Sequence, residues 1–76
     1  MDTRWLRVLV ELADRGTLRE VAATTGYSAS AVSQHLASLQ RELGVRLTEP
    51  VGRLLALTPV GRDFVPLARA ALAAVE

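Results

Sequence analysis

The sequence has 76 residues, with no cysteine, no lysine and a single residue each of Trp, Tyr and Phe. Without cysteine there is no disulfide framework and no thiolate metal site, which accords with a reducing compartment. No long uncharged apolar run and no signal-peptide pattern occurs, so neither a membrane span nor export is expected. Catalytic patterns are missing as well. There is no Ser/His/acid set, no pair of carboxylates on one helix face and no glycine-rich phosphate loop before a helix. His35 stands without a second His, Cys or nearby carboxylate at ligand spacing, so no metal is expected. It reads either as a polar surface residue or as a nucleic-acid contact. An enzyme and a cofactor are both disfavoured. With so few aromatics, the Ala, Leu and Val that dominate the hydrophobic half of the chain must build the core, which favours helices packed on helices. The length allows one small domain of marginal stability.

All nine basic side chains are arginine, and the formal net charge is only +1. Base bias in the coding sequence explains an all-arginine set, and so does recognition of phosphates and bases by planar guanidinium forks. A charge this small argues weakly against nucleic-acid binding, so any such case must rest on pattern.

Caps and periodicity divide the chain. A first helix is expected over residues 2–15, with Leu6, Leu9, Val10 and Ala13 as its core stripe and Gly16 as its stop. Thr17 with Glu20 three residues on forms a capping-box signature for a short second helix. Its inward residues are Leu18, Val21, Ala22 and Thr25, and Gly26 closes it. Only Tyr27 separates Gly26 from the next cap, Ser28, so the two helices meet at a steep angle. The third helix runs over residues 29–43 on an inner stripe of Val32, Leu36, Leu39 and Leu43. Gly44 ends it, and Val45 is expected to fold back onto Leu39. Val45, Leu47, Leu55 and Leu57 then suggest two short strands around Pro50-Val51-Gly52-Arg53. Thr58-Pro59 opens a last helix with Thr as cap and Pro in the first turn. Pro66 should bend that helix without breaking it.

The outer face of the third helix carries Ala29, Ser30, Ser33, Gln34, Ala37, Ser38 and Arg41. An ordinary solvated helix face is rich in Glu and Lys. A helix entering a DNA major groove needs small residues for close approach, amides and hydroxyls for base edges, and no carboxylates near phosphates. Gln34 can bond an adenine edge in bidentate fashion, and Ser33 can donate or accept. Ser28 at the helix N-terminus suits a phosphate, and so do Thr17 and Arg19 at the start of the second helix. Arg53, beside Gly52 at the hairpin tip, reads as a solvated arginine or as one that enters a minor groove.

In order along the chain, these residues resemble the N-terminal pattern of the LysR-type transcriptional regulators. The resemblance rests on Met1 through Ala13, Gly16-Thr17-Leu18 with Val21-Ala22-Ala23, Ser28 to Leu36, Leu39-Gln40-Arg41-Glu42-Leu43-Gly44-Val45-Arg46-Leu47, Gly52-Arg53 and Leu57-Thr58-Pro59-Val60-Gly61. It covers essentially the whole chain without gaps. It implies a mostly α winged helix-turn-helix: a three-helix core, a two-stranded wing and a C-terminal linker helix. Residues 1–58 would form the DNA-binding domain and 59–76 the linker and dimerisation helix. The third helix would be the recognition helix, with base contacts from Ala29, Ser30, Ser33 and Gln34 and from the wing residue Arg53. Thr17, Arg19, Ser28, Ser38 and Arg41 are the candidate phosphate contacts. The implied partner is a partly palindromic double-stranded promoter site, bound in the bacterial cytoplasm, at the nucleoid, by a homodimer.

The chain departs from the family pattern in places. Ala29 stands where the family commonly has Gln, Thr48 where it has Phe and Pro50 where it has Arg. Leu54-Leu55-Ala56 makes a less basic wing than usual. Fewer phosphate contacts and a shallower salt dependence follow. The family also carries a larger C-terminal domain that senses a small molecule. Because Ala74-Val75-Glu76 gives no helix-stop signal, the chain is expected to be a piece of such a longer protein.

On the last helix, Val60 and Phe64 are assigned to the core. Leu67, Ala68, Ala71, Leu72 and Val75 are assigned to a dimer surface, since a small domain cannot cover them and a symmetric dimer is the commonest solution. Trp5 either helps that surface or seals the core. The competing function class is a helical protein-interaction and dimerisation module that does not bind DNA.

Overall fold

The computed structural model describes residues 1–75; Glu76, the last residue of the expected linker helix, lies outside the described residues. The elements are α1 (Thr3–Arg15), α2 (Leu18–Thr25), α3 (Ala29–Leu43), β1 (Thr48–Val51), β2 (Leu54–Leu57) and α4 (Pro59–Val75). This is the winged helix-turn-helix order.

The caps expected at Thr17 and Ser28 hold, and Asp2, expected as the first residue of α1, is its cap instead. Asp2 accepts from the Arg4 amide at 2.8 Å and opens α1. The Arg4 guanidinium also binds the Asp2 carboxylate, and these hydrogen bonds lower the Asp2 pKa to about 2. Thr17 accepts from the Glu20 amide at 3.1 Å, while its hydroxyl donates to the Glu20 carboxylate at 3.4 Å. Ser28 accepts from the Ala31 amide at 3.1 Å. Each cap satisfies an amide that the first turn of a helix leaves without a partner.

The hub of the fold is α1, which packs against α2, α3 and α4. A helix touched on three sides needs more than one apolar stripe. Leu6, Val8, Leu9, Val10 and Leu12 are all buried, so the expected stripe missed Val8 and Leu12 and overrated Ala13, which is half-buried. Val21 of α2 and Val32, Leu36 and Leu39 of α3 complete the three-helix core, and Leu47 joins it from the chain just before the hairpin. Tyr27, in the turn between α2 and α3, stacks edge-on against His35 with ring centroids 5.0 Å apart. His35 thus braces the turn, half-buried, instead of standing free on the surface.

The hairpin differs in detail from its expected form. Val45 and Leu47 precede β1, and Pro50 and Val51 lie inside it. Val45 is 43% exposed and does not retreat into the core. The strands pair antiparallel, with Val51 opposite Leu54 and Pro50 opposite Leu55, around a two-residue turn of Gly52-Arg53. Gly52 has φ 61, and a glycine with positive φ at the first central position is what this tight hairpin turn requires. In such a hairpin the residues closing the turn exchange hydrogen bonds and the next pair does not. Pro50 occupies that next pair, so its missing N–H removes no ladder bond.

α4 runs through Pro66 as one helix. Its buried residues are Gly61, Val65, Ala68 and Leu72. This corrects two sequence expectations. Ala68 and Leu72 face the domain itself, at 0% and 6% exposure, because α4 lies along α1. Val60 is 49% exposed and stays out of the core, whereas Phe64, half-buried, packs against the core cluster as expected. The Arg69 guanidinium binds both oxygens of Asp14 across the α1–α4 seam and holds that carboxyl below its usual range.

Candidate nucleic-acid interface

The α3 face is open as the sequence requires. Ala29, Ser30, Ser33, Gln34, Ala37 and Arg41 are all exposed. At the N-terminus of α3, Ser28 occupies the Ala31 amide, and among the described residues the amides of Ala29 and Ser30 have no protein acceptor. Free amides at a positive dipole end suit an anion. Ser38 stands apart: it is half-buried on the flank beside Trp5 and Glu42. Trp5 itself is half-buried and packs on the core cluster. The expected phosphate position at Thr17 is compromised too, because the Glu20 carboxylate already sits on its hydroxyl.

Charge is sorted in space although its sum is small. Arg4 pairs with Asp2, Arg15 with Glu11 and Arg69 with Asp14. Glu42 lies 3.7 Å from the amino terminus of Met1. Among the described residues, Arg19, Arg41, Arg46 and Arg53 pair with no carboxylate. Arg41 and Arg46 line an open groove between α3 and the wing, with Ala37, Gln40, Thr48, Pro50 and Leu55. Arg19 and Arg53 line a second groove, between the start of α2 and the wing tip. Arg4, Arg15 and Arg69 of α1 and α4 are thus neutralised, and Arg62 of α4 donates to the Leu57 carbonyl, while four guanidinium groups without a carboxylate partner stand around the α2–α3–wing side. A net charge of +1 hides this separation.

Two residues here escaped the sequence reading. Arg46, which no period or cap singles out, is exposed and, among the described residues, pairs with no carboxylate in the α3–wing groove. Gln40 was assigned no role. Its Oε1 accepts from the Leu47 amide at 2.8 Å, the Thr48 amide at 3.1 Å and the Thr48 hydroxyl at 3.3 Å. Its Nε2 donates to the Leu36 carbonyl at 3.3 Å. The one available signal was a polar residue at the edge of the α3 stripe, seven residues before a strand-like segment. On the other side of the wing base, the Thr58 amide donates to the Leu47 carbonyl at 2.9 Å, and its hydroxyl donates to the Arg46 carbonyl at 2.7 Å. The same hydroxyl accepts from Gly61 at 2.9 Å and caps α4.

α4 presents a second surface. Val60, Phe64, Leu67, Ala71 and Val75 recur at spacings of three and four and are exposed or half-buried. Leu67 and Val75 are 64% and 67% exposed. Steps of three and four keep these residues on one side of the helix, flanking the buried face of Val65, Ala68 and Leu72.

A family model described as bacterial regulatory helix-turn-helix protein, lysR family, matches residues 3–62. The chain is 42% identical over 71 residues to a probable hydrogen peroxide-inducible genes activator of Mycobacterium xenopi, covering 93% of this chain and 38% of that protein. It is 37% identical over its full 76 residues to the transcriptional dual regulator GltC of Bacillus subtilis, spanning 25% of that length. Among solved structures, Corynebacterium glutamicum OxyR, as the C206S mutant with H2O2 bound, superposes with a TM-score of 0.91 at 31% identity, over 97% of this chain and 23% of that one. The BenM DBD in complex with catB site 1 DNA superposes with a TM-score of 0.89 at 28% identity, over 99% of this chain and 84% of that one.

Proposed function

The chain belongs to the LysR family of bacterial helix-turn-helix regulators, and on that premise we propose that it binds double-stranded DNA sequence-specifically as a dimer. The observation that carries this reading is one surface on which two independent features coincide. The α3 face is small, polar and free of carboxylates, and four unpaired arginines surround it. The same fold has been solved on DNA in the BenM domain. Residues 29–34 enter the major groove, where Ser33 and Gln34 address base edges and the free amides of Ala29 and Ser30 meet a phosphate. Arg19, Arg41 and Arg46 contact the flanking backbone, and Arg53 reaches from the wing toward the minor groove. The domain occupies residues 1–58 and the linker helix residues 59–76. A longer protein of this family would add a small-molecule response through a C-terminal domain and would act in the cytoplasm, at the nucleoid.

The test is selection of random duplexes by the 76-residue chain. A DNA reader enriches a partly palindromic motif with half-sites about one or more helical turns apart. A protein-interaction module enriches nothing.

Arg53→Ala should weaken binding chiefly at sites with an A·T-rich segment under the wing, by about tenfold, because narrow minor grooves concentrate negative potential. Titration of matched A·T-rich and G·C-rich duplexes checks this. An equal loss on both would make Arg53 a plain phosphate contact.

The dimer surface we propose is the exposed stripe of Val60, Phe64, Leu67, Ala71 and Val75, pairing antiparallel with its mate. Ala68 and Leu72 are spent inside the domain. A buried Leu contributes about 1.5–3 kcal/mol, and a two-fold axis uses each residue twice, so Leu67→Asp should weaken self-association by about a hundredfold or more. Sedimentation equilibrium reads the change. Unaltered association would place the interface elsewhere.

A further inference from the structure

We infer that Gln40 is a positioning residue that sets the angle of the wing against the recognition helix, and through that angle the minor-groove preference of Arg53. The inference rests on the DNA-binding reading above. A lone two-stranded hairpin is marginal in water and takes its orientation from whatever holds its base. Here the base is held from two sides. On the α4 side the Thr58 amide binds the Leu47 carbonyl and its hydroxyl binds the Arg46 carbonyl. On the α3 side the tie is a single side chain. The carboxamide oxygen of Gln40 gathers both amides that lead into β1, at Leu47 and Thr48, together with the Thr48 hydroxyl. Its nitrogen is fixed in turn by the Leu36 carbonyl of the preceding helical turn. The amide is oriented by chemistry at both ends, since only its oxygen suits three donors and only its NH2 suits a carbonyl. Leu47 is fully buried and Thr48 is 6% exposed, so these donors have no water to fall back on.

The lever is long enough to matter. From Thr48 to the turn at Gly52 the strand spans about 13 Å at the usual rise per residue. A tilt of about 10° at the base moves the tip by about 2 Å, enough to take a guanidinium out of hydrogen-bond range. Gln40 itself is half-buried two turns beyond Ser33, and both ends of its amide are taken up by Leu36, Leu47 and Thr48, so it is not free to read bases. It acts by fixing where Arg53 stands relative to them.

The experiment uses the whole chain with Gln40→Met, which keeps length and bulk but removes the acceptor, and Gln40→Glu, which restores the acceptor. Two readouts are taken. Amide hydrogen exchange on the free protein reports the latch: Gln40→Met should speed exchange at Leu47 and Thr48 about tenfold, with α3 amides unchanged. Titration of selected duplexes reports the consequence. The A·T preference lost in Arg53→Ala should also be lost in Gln40→Met, by about fivefold or more, while the preference lost in Gln34→Ala stays within about twofold. Gln40→Glu keeps the acceptor but loses the donor to Leu36, so it should recover part of the exchange protection at Leu47 and Thr48 and part of the preference, and no recovery at all overturns the assignment. Equal loss of both preferences, or loss of neither, overturns the assignment, as does unchanged exchange at Leu47 and Thr48. Should Gln40→Met fail to fold, Thr48→Val removes one donor only and must shift the A·T preference in the same direction, or the assignment fails. Failure of the DNA reading itself looks different: the unaltered chain then shows no duplex preference while the exchange difference persists.

Discussion

Replacing Gly61 with alanine should destabilise the domain by about 2–3 kcal/mol, although glycine to alanine inside a helix ordinarily stabilises by about 1 kcal/mol. The reversal comes from one close approach. Gly61 lies in the first turn of α4, buried, and a Cβ there would overlap the carbonyl group of Leu47. That carbonyl accepts from the Thr58 amide, and the Leu47 amide is held by Gln40. Leu47 is therefore pinned from both sides and cannot retreat, and its side chain is fully buried. Relief has to come from moving α4 off α1, which uncovers Val65, Ala68 and Leu72. A chain of this size has about 4–11 kcal/mol of stability in all. Thermal unfolding by circular dichroism should show the midpoint falling by about 10–20 °C. A midpoint that stays or rises would mean that α4 is not seated on Leu47 as described.

Affinity for duplex DNA should fall steeply with salt. Four unpaired arginines per chain, Arg19, Arg41, Arg46 and Arg53, give about eight cationic contacts in a dimer. Each neutralised phosphate contributes about −0.9 to the log–log slope, so the dimer slope should be about −7 and affinity should fall about 10⁴-fold between 50 and 200 mM salt. Replacing Arg4, Arg15 or Arg69 with glutamine should leave the slope unmoved, because each already serves a carboxylate, Asp2, Glu11 or Asp14, and not a phosphate. Arg46→Ala should lower the slope magnitude by about 1 per protomer. Fluorescence anisotropy at four salt concentrations measures the slope. A slope near zero would remove DNA from the list of partners, and a slope unmoved by Arg46→Ala would take that residue out of the interface.

Much of this surface was visible in the sequence because its signals are local. Asp2, Thr17, Ser28 and Thr58 each cap a helix by bonding an amide two or three residues ahead, and such spacings can be read from a string. The polar side of α3 is likewise a matter of period. What escaped depends on contacts between distant segments. Val8 and Leu12 look surplus to one stripe until α1 is known to touch three helices. Ala68 and Leu72 fit either face of α4, and only the position of α1 decides between them. Gln40 is seven and eight residues from the donors it gathers, with a helix end between, so no periodicity exposes it. The turn was misplaced because Pro50 reads as a breaker, although its pairing position costs no hydrogen bond. The charge argument was the largest omission. A net +1 counts arginines without showing which of them already have carboxylates.

One comparison bears on all of this: the specificity ratio of the unaltered chain and of the Ser33→Ala, Gln34→Ala double variant, each titrated at one salt concentration against the selected duplex and a scrambled one. If the outer side of α3 lies in the major groove, the double variant keeps its scrambled-duplex affinity and loses about tenfold or more in ratio. An unchanged ratio would mean that α3 does not read the bases.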